Sequence, residues 1–172
     1  MKKIQDYLYE VEFDNYDYNY GLDALNYTFN TPIGACSAVR CGNFFGRNFD
    51  WYYDNTCEFI IHVPGNNNRH ASIGVTYSLF KDTDITDTID MNKYNVIPFL
   101  TMDGINDSGL VISINVVSTG DNGYTTGTNP GLEDLITIMI PRFLLDNAGS
   151  VDEAINLLNN RNIYTPLSQK MK

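Results

Sequence analysis

The sequence predicts an α+β fold built on antiparallel sheet. Short β-type segments fill the stretch from Cys36 to about Val117, the clear helical patterns come last, and no βαβ alternation joins them. At 172 residues the chain has the length of one domain with a substantial core.

Residues 1–35 stand apart in composition. They are rich in Tyr, Asp and Asn, contain "FDNYDYNYGLD", and end in the turn-like Pro32-Ile33-Gly34-Ala35, so short strand and helix pieces in a solvated leader are expected. "CSAVR" then reads as a strand, Cys41-Gly42-Asn43 as a tight turn, and "FFGRNFDW" as the hairpin partner. "CEFIIHVP" is an apolar strand closed by the polar turn "GNNNRH", and "ASIGVTYSLF" follows as the next. "VIPFLTMDGINDSGLVISINVV" reads as two strands around a turn at Asn106-Asp107-Ser108-Gly109. The Gly/Thr/Asn segment "STGDNGYTTGTNPG" is a long loop of the kind that serves a site. A helix is predicted from Gly131 to Asn147, entered at Asn129-Pro130, apolar nearly all round and kinked at Pro141. A second helix opens with a capping box of Ser150 and Glu153 and is expected to bury a stripe of Val151, Ala154, Ile155 and Leu158. The apolar face of the first helix is larger than this sheet can satisfy, as if further layers were missing.

Composition narrows the function. Twenty-one acidic against 11 basic side chains give a net charge of -10, which repels phosphate backbones and anionic membrane surfaces, so neither nucleic acid nor a membrane is an expected partner. No apolar run reaches the length of a membrane helix, and after Lys2 and Lys3 polar residues (Gln5, Asp6, Glu10, Glu12) interrupt any signal-peptide core. A cytoplasmic protein is expected. The three cysteines, Cys36, Cys41 and Cys57, form no CxxC pattern, which argues against a disulfide framework and against zinc. With only His62 and His70 available, nothing in the spacing recommends a Cys–His pair.

The candidate chemistry lies between Gly34 and Asp54. A lone buried cysteine is more often packing than nucleophile, and an isolated Arg/Asp pair is usually a surface ion pair of little energetic value. Cys41 and Cys57 keep the packing interpretation. Trp51, Tyr52 and Tyr53 suit either an acyl pocket or core and rim packing.

"CSAVR" followed by "FFGRNFDW" resembles the start of the mature chain in the choloylglycine hydrolase and penicillin V acylase family, linear amide C–N hydrolases of the N-terminal-nucleophile superfamily. "MDGINDSGLVISINVV" and "IPRFLLDNAGSVDEAINLL" resemble later stretches of the same family, in the same order, so the likeness runs from Cys36 to about Ile163. The resemblance implies an αββα sandwich of antiparallel sheets, here truncated at its C-terminal side. Residues 1–35 are then a propeptide and 36–172 the N-terminal part of a single domain. It implies Cys36 as nucleophile, Arg47 and Asp50 as the groups that hold its amino end and thiol, and Asn115 as an oxyanion donor, although on a buried strand Asn115 could equally satisfy a backbone group. The family's remaining asparagine and arginine have no counterpart in this sequence. The hairpin between Arg40 and Phe44 is shorter than in bile-salt hydrolases, which leaves substrate choice open.

The implied chemistry is self-consistent. A thiol reacts as thiolate and titrates near 8.5 when free, so a base must assist it. In this class the base is the nucleophile's own α-amine, with a reference pKa of about 7.7–8.0. An internal cysteine has no such amine, so Cys36 has to be exposed by attack of its thiol on the Ala35 carbonyl. The expected enzyme is a cysteine amidohydrolase cleaving N-acyl amides such as bile-salt conjugates, penicillin V or N-acyl amino acids. It needs no metal or organic cofactor, and its family forms homo-oligomers. The competing expectation is a non-catalytic remnant, or a half that works only with a partner. One geometric demand follows: Arg47 and Asp50, three apart, face opposite sides of an ideal strand, so both reach Cys36 only if the strand bends, bulges or ends after Arg47.

Overall fold

The structure is a computed structural model that describes residues 1–25, 35–50, 56–81, 94–115 and 126–165. It contains strands β1 (Lys2–Gln5), β2 (Leu8–Glu12), β3 (Ala35–Cys41), β4 (Phe44–Asp50), β5 (Thr56–Val63), β6 (Ser72–Lys81), β7 (Thr101–Asn106), β8 (Val111–Ser113), β9 (Glu133–Ile136) and β10 (Arg161–Tyr164). The helices are α1 (Tyr18–Leu25), α2 (Ile140–Asn147) and α3 (Val151–Asn159). The α+β class is observed. Among the described residues no helix is long and apolar enough to cross a membrane.

Six strands form the main sheet in the order β1-β2-β5-β6-β7-β8. The expectation of purely antiparallel sheets needs correction: β2 pairs parallel with β5, and β9 pairs parallel with β10 in a separate two-stranded sheet. Each parallel pair is joined by a crossover long enough to return the chain to the same end. The first crossover contains α1 and the β3–β4 hairpin, and the second contains α2 and α3.

Period-two alternation decides which face of the main sheet is buried. In β5, Cys57, Phe59, Ile61 and Val63 point inward, and they pack with Tyr9, Val11 and Phe13 of the leader and with Tyr94 and Ile97. Residues 1–13 are therefore built into the sheet and core. A solvated leader is not what the chain forms, because its alternating Tyr9, Val11 and Phe13 supply apolar surface that β5 needs covered.

The predicted helix over 131–147 is the second correction. Its first half is β9 followed by a 3-10 turn at Thr137–Met139, and Pro141 stands in the first turn of α2 instead of kinking a longer helix. There its missing N–H costs nothing, while Ile136, Thr137 and Ile138 upstream are β-branched and stiff at χ1. α2 lies on the buried face of the sheet, so close that a Cβ at Gly104 would stand 2.5 Å from Leu145 Cδ1. Asn106 fixes that contact. Its Nδ2 donates to the Leu145 and Ala148 carbonyls (3.1 and 2.7 Å), and its Oδ1 accepts from the Ser108 and Leu110 amides of the β7–β8 turn. One buried side chain thus satisfies both a helix end and a hairpin.

The capping box at α3 is observed: Ser150 Oγ accepts from the Glu153 amide at 3.2 Å, and Glu153 Oε2 accepts from the Gly149 amide at 2.7 Å. Its buried stripe is not the expected one. Ala154 is buried with Leu157 and Leu158 packed beside it, whereas Val151 and Ile155 are exposed.

Under the sheet, Arg142 and Asp146 form an ion pair at 2.6 Å that is almost completely buried. Arg142 also donates to Ser72 Oγ, and Asp146 accepts from the hydroxyls of Tyr16 and Tyr18. The leader is thus tied to α2 by two phenols and to β5 by β2. Burial raises the pKa of both tyrosines, with Asp146 adding to the rise and Arg142 opposing it.

Two outcomes are expected. Asn106→Ala removes four hydrogen bonds from a buried site and should lower unfolding stability by about 3 kcal/mol, read as a lower denaturant midpoint at unchanged m-value. The raised tyrosines make the fold base-labile: their neutral forms are favoured in the native state, so their contribution is complete below the unfolded pKa of about 10 and is lost as pH rises above it. A Tyr16→Phe, Tyr18→Phe double variant should show a shallower fall in stability between pH 9.5 and 11, roughly the onset of phenol ionisation, in denaturant titrations.

Candidate functional site

The β3–β4 hairpin presents the candidate nucleophile. Its register runs unbroken from Cys41↔Phe44 to Ala35↔Asp50, with the turn at Gly42-Asn43 and Gly42 at φ +59°. Cys36 lies opposite Phe49 and Ala38 opposite Arg47, so Cys36, Ala38, Arg47 and Phe49 share one face. The irregularity expected after Arg47 does not occur. Asp50 occupies a register position of the other face, opposite Ala35, and its side chain lies outside the described ones, as do Trp51, Tyr52 and Tyr53.

Arg47 connects this hairpin to the main sheet. Its side chain is only 5% exposed. Nη2 donates to Cys36 Sγ at 3.5 Å and, in a short bond, to the Ile114 carbonyl. Nη1 donates to Asp103 Oδ2 at 2.8 Å, Nε points to Asn115 Oδ1 at 3.4 Å, and the guanidinium lies 4.6 Å over the Phe49 ring. A planar fork with five fixed donors suits this distribution, which a lysine ammonium could not reproduce.

The structure therefore brings Cys36, Arg47 and Asn115 together. Because Asn115 turns its oxygen to the Arg47 Nε–H, its amide nitrogen lies on the far side, with no acceptor among the described residues. Among the described side chains Arg47 pairs with Asp103, a residue the sequence reading passed over. The available signal was a carboxylate at an alternate position between apolar residues of "TMDGI": Asp103 shares its face of β7 with Ile105. Asp103 Oδ1 and the hydroxyl of its cross-strand neighbour Ser113 are both buried and have no hydrogen-bond partner among the described residues.

The same sheet face, opposite α2, carries Ile73, Val75, Ile105 and Val111, each between 36% and 43% exposed and adjacent across strands. At the hairpin tip Val39, Phe44 and Phe45 are exposed. Elsewhere an open cleft of about 740 Å³ lies between α1 and the β9–β10 pair, lined by Tyr18, Leu135, Met139, Phe143 and Arg161, and it contains none of the candidate residues.

The histidines serve other ends. His62 pairs with Glu10 at 2.9 Å, and His70 pairs with Asp107 at 2.8 Å, a hydrogen bond that lowers the Asp107 pKa together with one from the Ala71 amide. None of the three cysteines is in a disulfide; Cys57 is buried as expected, but Cys41 is exposed. Among the described residues no cluster of three or more His, Cys, Asp or Glu could hold a metal ion.

In comparisons with known proteins, no curated protein and no solved structure matches the chain. One family model does: that of acyl-coenzyme A:6-aminopenicillanic acid acyl-transferase, over residues 39–165. The match begins three positions after Cys36 and takes in Arg47, Asp103 and Asn115. It covers most of the sequence, in agreement with the motifs around Arg47 and Gly109, and the chain accordingly belongs to this acyltransferase and amidase-like family of the N-terminal-nucleophile, choloylglycine-hydrolase-like kind.

Proposed function

We propose that this chain carries the nucleophile of a cysteine amidohydrolase that cleaves linear amide C–N bonds in N-acyl amides, once Cys36 has become the first residue of its chain. The observation that carries this reading is the single Arg47 guanidinium that bonds the Cys36 thiol while orienting Asn115. The αββα arrangement belongs to the same proposal. α2 packs on one face of the main sheet, and the apolar row Ile73, Val75, Ile105 and Val111 on the other suits a second sheet.

Exposure of Cys36 would begin with its thiol adding to the Ala35 carbonyl. The C–N bond to Cys36 breaks, the freed nitrogen takes the thiol proton, and a thioester joins Ala35 to Sγ. Water then hydrolyses the thioester, releasing the Ala35 carboxylate and restoring the thiol beside a new α-amine. In turnover that amine accepts the thiol proton as Sγ attacks the substrate carbonyl. The Asn115 amide donates to the oxyanion, the amine leaving group departs with the proton, and the acyl-cysteine passes its acyl group to water. An acceptor amine in place of water would make the same intermediate an acyltransferase step, the reaction for which the matched family is named. Because β2, Tyr16 and Tyr18 are embedded in the fold, a leader cut after Ala35 would stay bound.

Intact-mass analysis tests exposure directly. After incubation, denatured wild type should give two chains divided between Ala35 and Cys36, native mass spectrometry should give one particle, and Cys36→Ala should stay whole. Persistence of the full mass in folded wild type would favour the non-catalytic remnant. For turnover of an N-acyl substrate panel including penicillin V and a glycine-conjugated bile salt, Asn115→Ala should lower kcat about 100-fold or more with little change in KM, as for loss of one oxyanion donor.

A further inference from the structure

We propose that Asp103 is a positioning residue for the Cys36–Arg47 pair, holding the guanidinium in plane and cancelling much of its charge at the thiol. The proposal rests on the catalytic reading of Cys36 but concerns a residue which that reading does not assign.

The geometry gives the reason. Asp103 binds Nη1 at 2.8 Å, while Cys36 Sγ lies 3.5 Å from Nη2 of the same group. With the carboxylate present, the sulfur faces one end of an ion pair. Without it, the sulfur faces an unopposed cation in a side chain only 5% exposed, where solvent screens little. Among the described side chains, the charged groups facing the thiol are thus Arg47 from β4 and, through it, Asp103 from β7. Ser113 on β8 adds a neutral hydroxyl beside Asp103, and among the described side chains no other charged group bonds to the sulfur. Among the described residues, one buried oxygen of Asp103 has no partner, an arrangement that costs stability.

A counter-charge here has a chemical use. An N-terminal cysteine needs a neutral α-amine next to a thiol that gives up its proton during attack. An unopposed arginine would hold a standing thiolate, which would keep the amine protonated and make the sulfur a weaker nucleophile. Asp103 prevents that while leaving Arg47 in place to orient Asn115.

Asp103→Asn keeps an oxygen for Nη1 and removes only the charge. In a Cys41→Ser background, with Cys57 fully buried, the rate of iodoacetamide addition to Cys36 is followed against pH by peptide mass, separately for cut and uncut chains. The pH midpoint of alkylation should move down by about one unit in Asp103→Asn, as an uncompensated neighbouring cation requires. Asp103→Glu, which keeps the charge, should retain the wild-type midpoint. Asp103→Ser supplies a second neutral variant if the asparagine protein does not fold. An unchanged or raised midpoint in a folded neutral variant, judged by circular dichroism, overturns the proposal. Failure of any chain to be cut counts against the amidohydrolase reading and leaves the charge measurement standing.

Discussion

The Arg47 guanidinium is the constraint on which the candidate site depends. The hairpin that carries Cys36 is a two-stranded sheet with an exposed tip, and such a unit has little stability of its own. Arg47 reaches from β4 to the end of β8, where it meets a backbone carbonyl, a carboxylate and an amide oxygen, and its remaining edge touches the thiol. A buried cation bound this way cannot swing out without leaving Asp103 unpaired. Cys36, Arg47, Asn115 and Asp103 are therefore held by the same bonds that dock the hairpin.

Below that face, a second polar assembly organises the scaffold. Arg142, Asp146, Tyr16, Tyr18 and Ser72 bring together α2, the leader and β6, and Asn106 links α2 to the β7–β8 turn. Both assemblies are anchored on the same sheet, one on each face. The position of Asp103 relative to Arg47 is thus coupled to helix packing through β7, whose Met102, Gly104 and Asn106 face α2 while Asp103 and Ile105 face the site.

The local elements were legible in the sequence where local rules act alone. The hairpin turn at Gly42, the strands β5 to β8 and the Ser150 cap follow from alternation, turn chemistry and capping. What was not legible depended on long-range pairing. The Gly131–Asn147 segment is apolar enough to read as a helix, yet β9 finds a parallel partner in β10 some 25 residues on, by roughly the crossover length a parallel pair needs. The leader's Tyr9 and Val11 alternate like strand residues, but only β5, far along the chain, gives them a place. Within the site, Cys36, Arg47 and Asn115 follow from motif resemblance, whereas Asp103 belongs to it only through its long-range ion pair with Arg47. For Asp50 the ladder gives only a register position, on the face opposite Arg47, and its side chain lies outside the described ones.

The parallel pairing of β2 with β5 has a thermodynamic consequence. A precursor folds as one molecule, so the leader finds its slot beside β5 by an intramolecular search. If the Ala35–Cys36 bond is cut, the same slot has to be filled by association of two molecules. Refolding then becomes second order, and each tenfold dilution subtracts about 1.4 kcal/mol from apparent stability. A chain cut there would assemble best once, before it is severed.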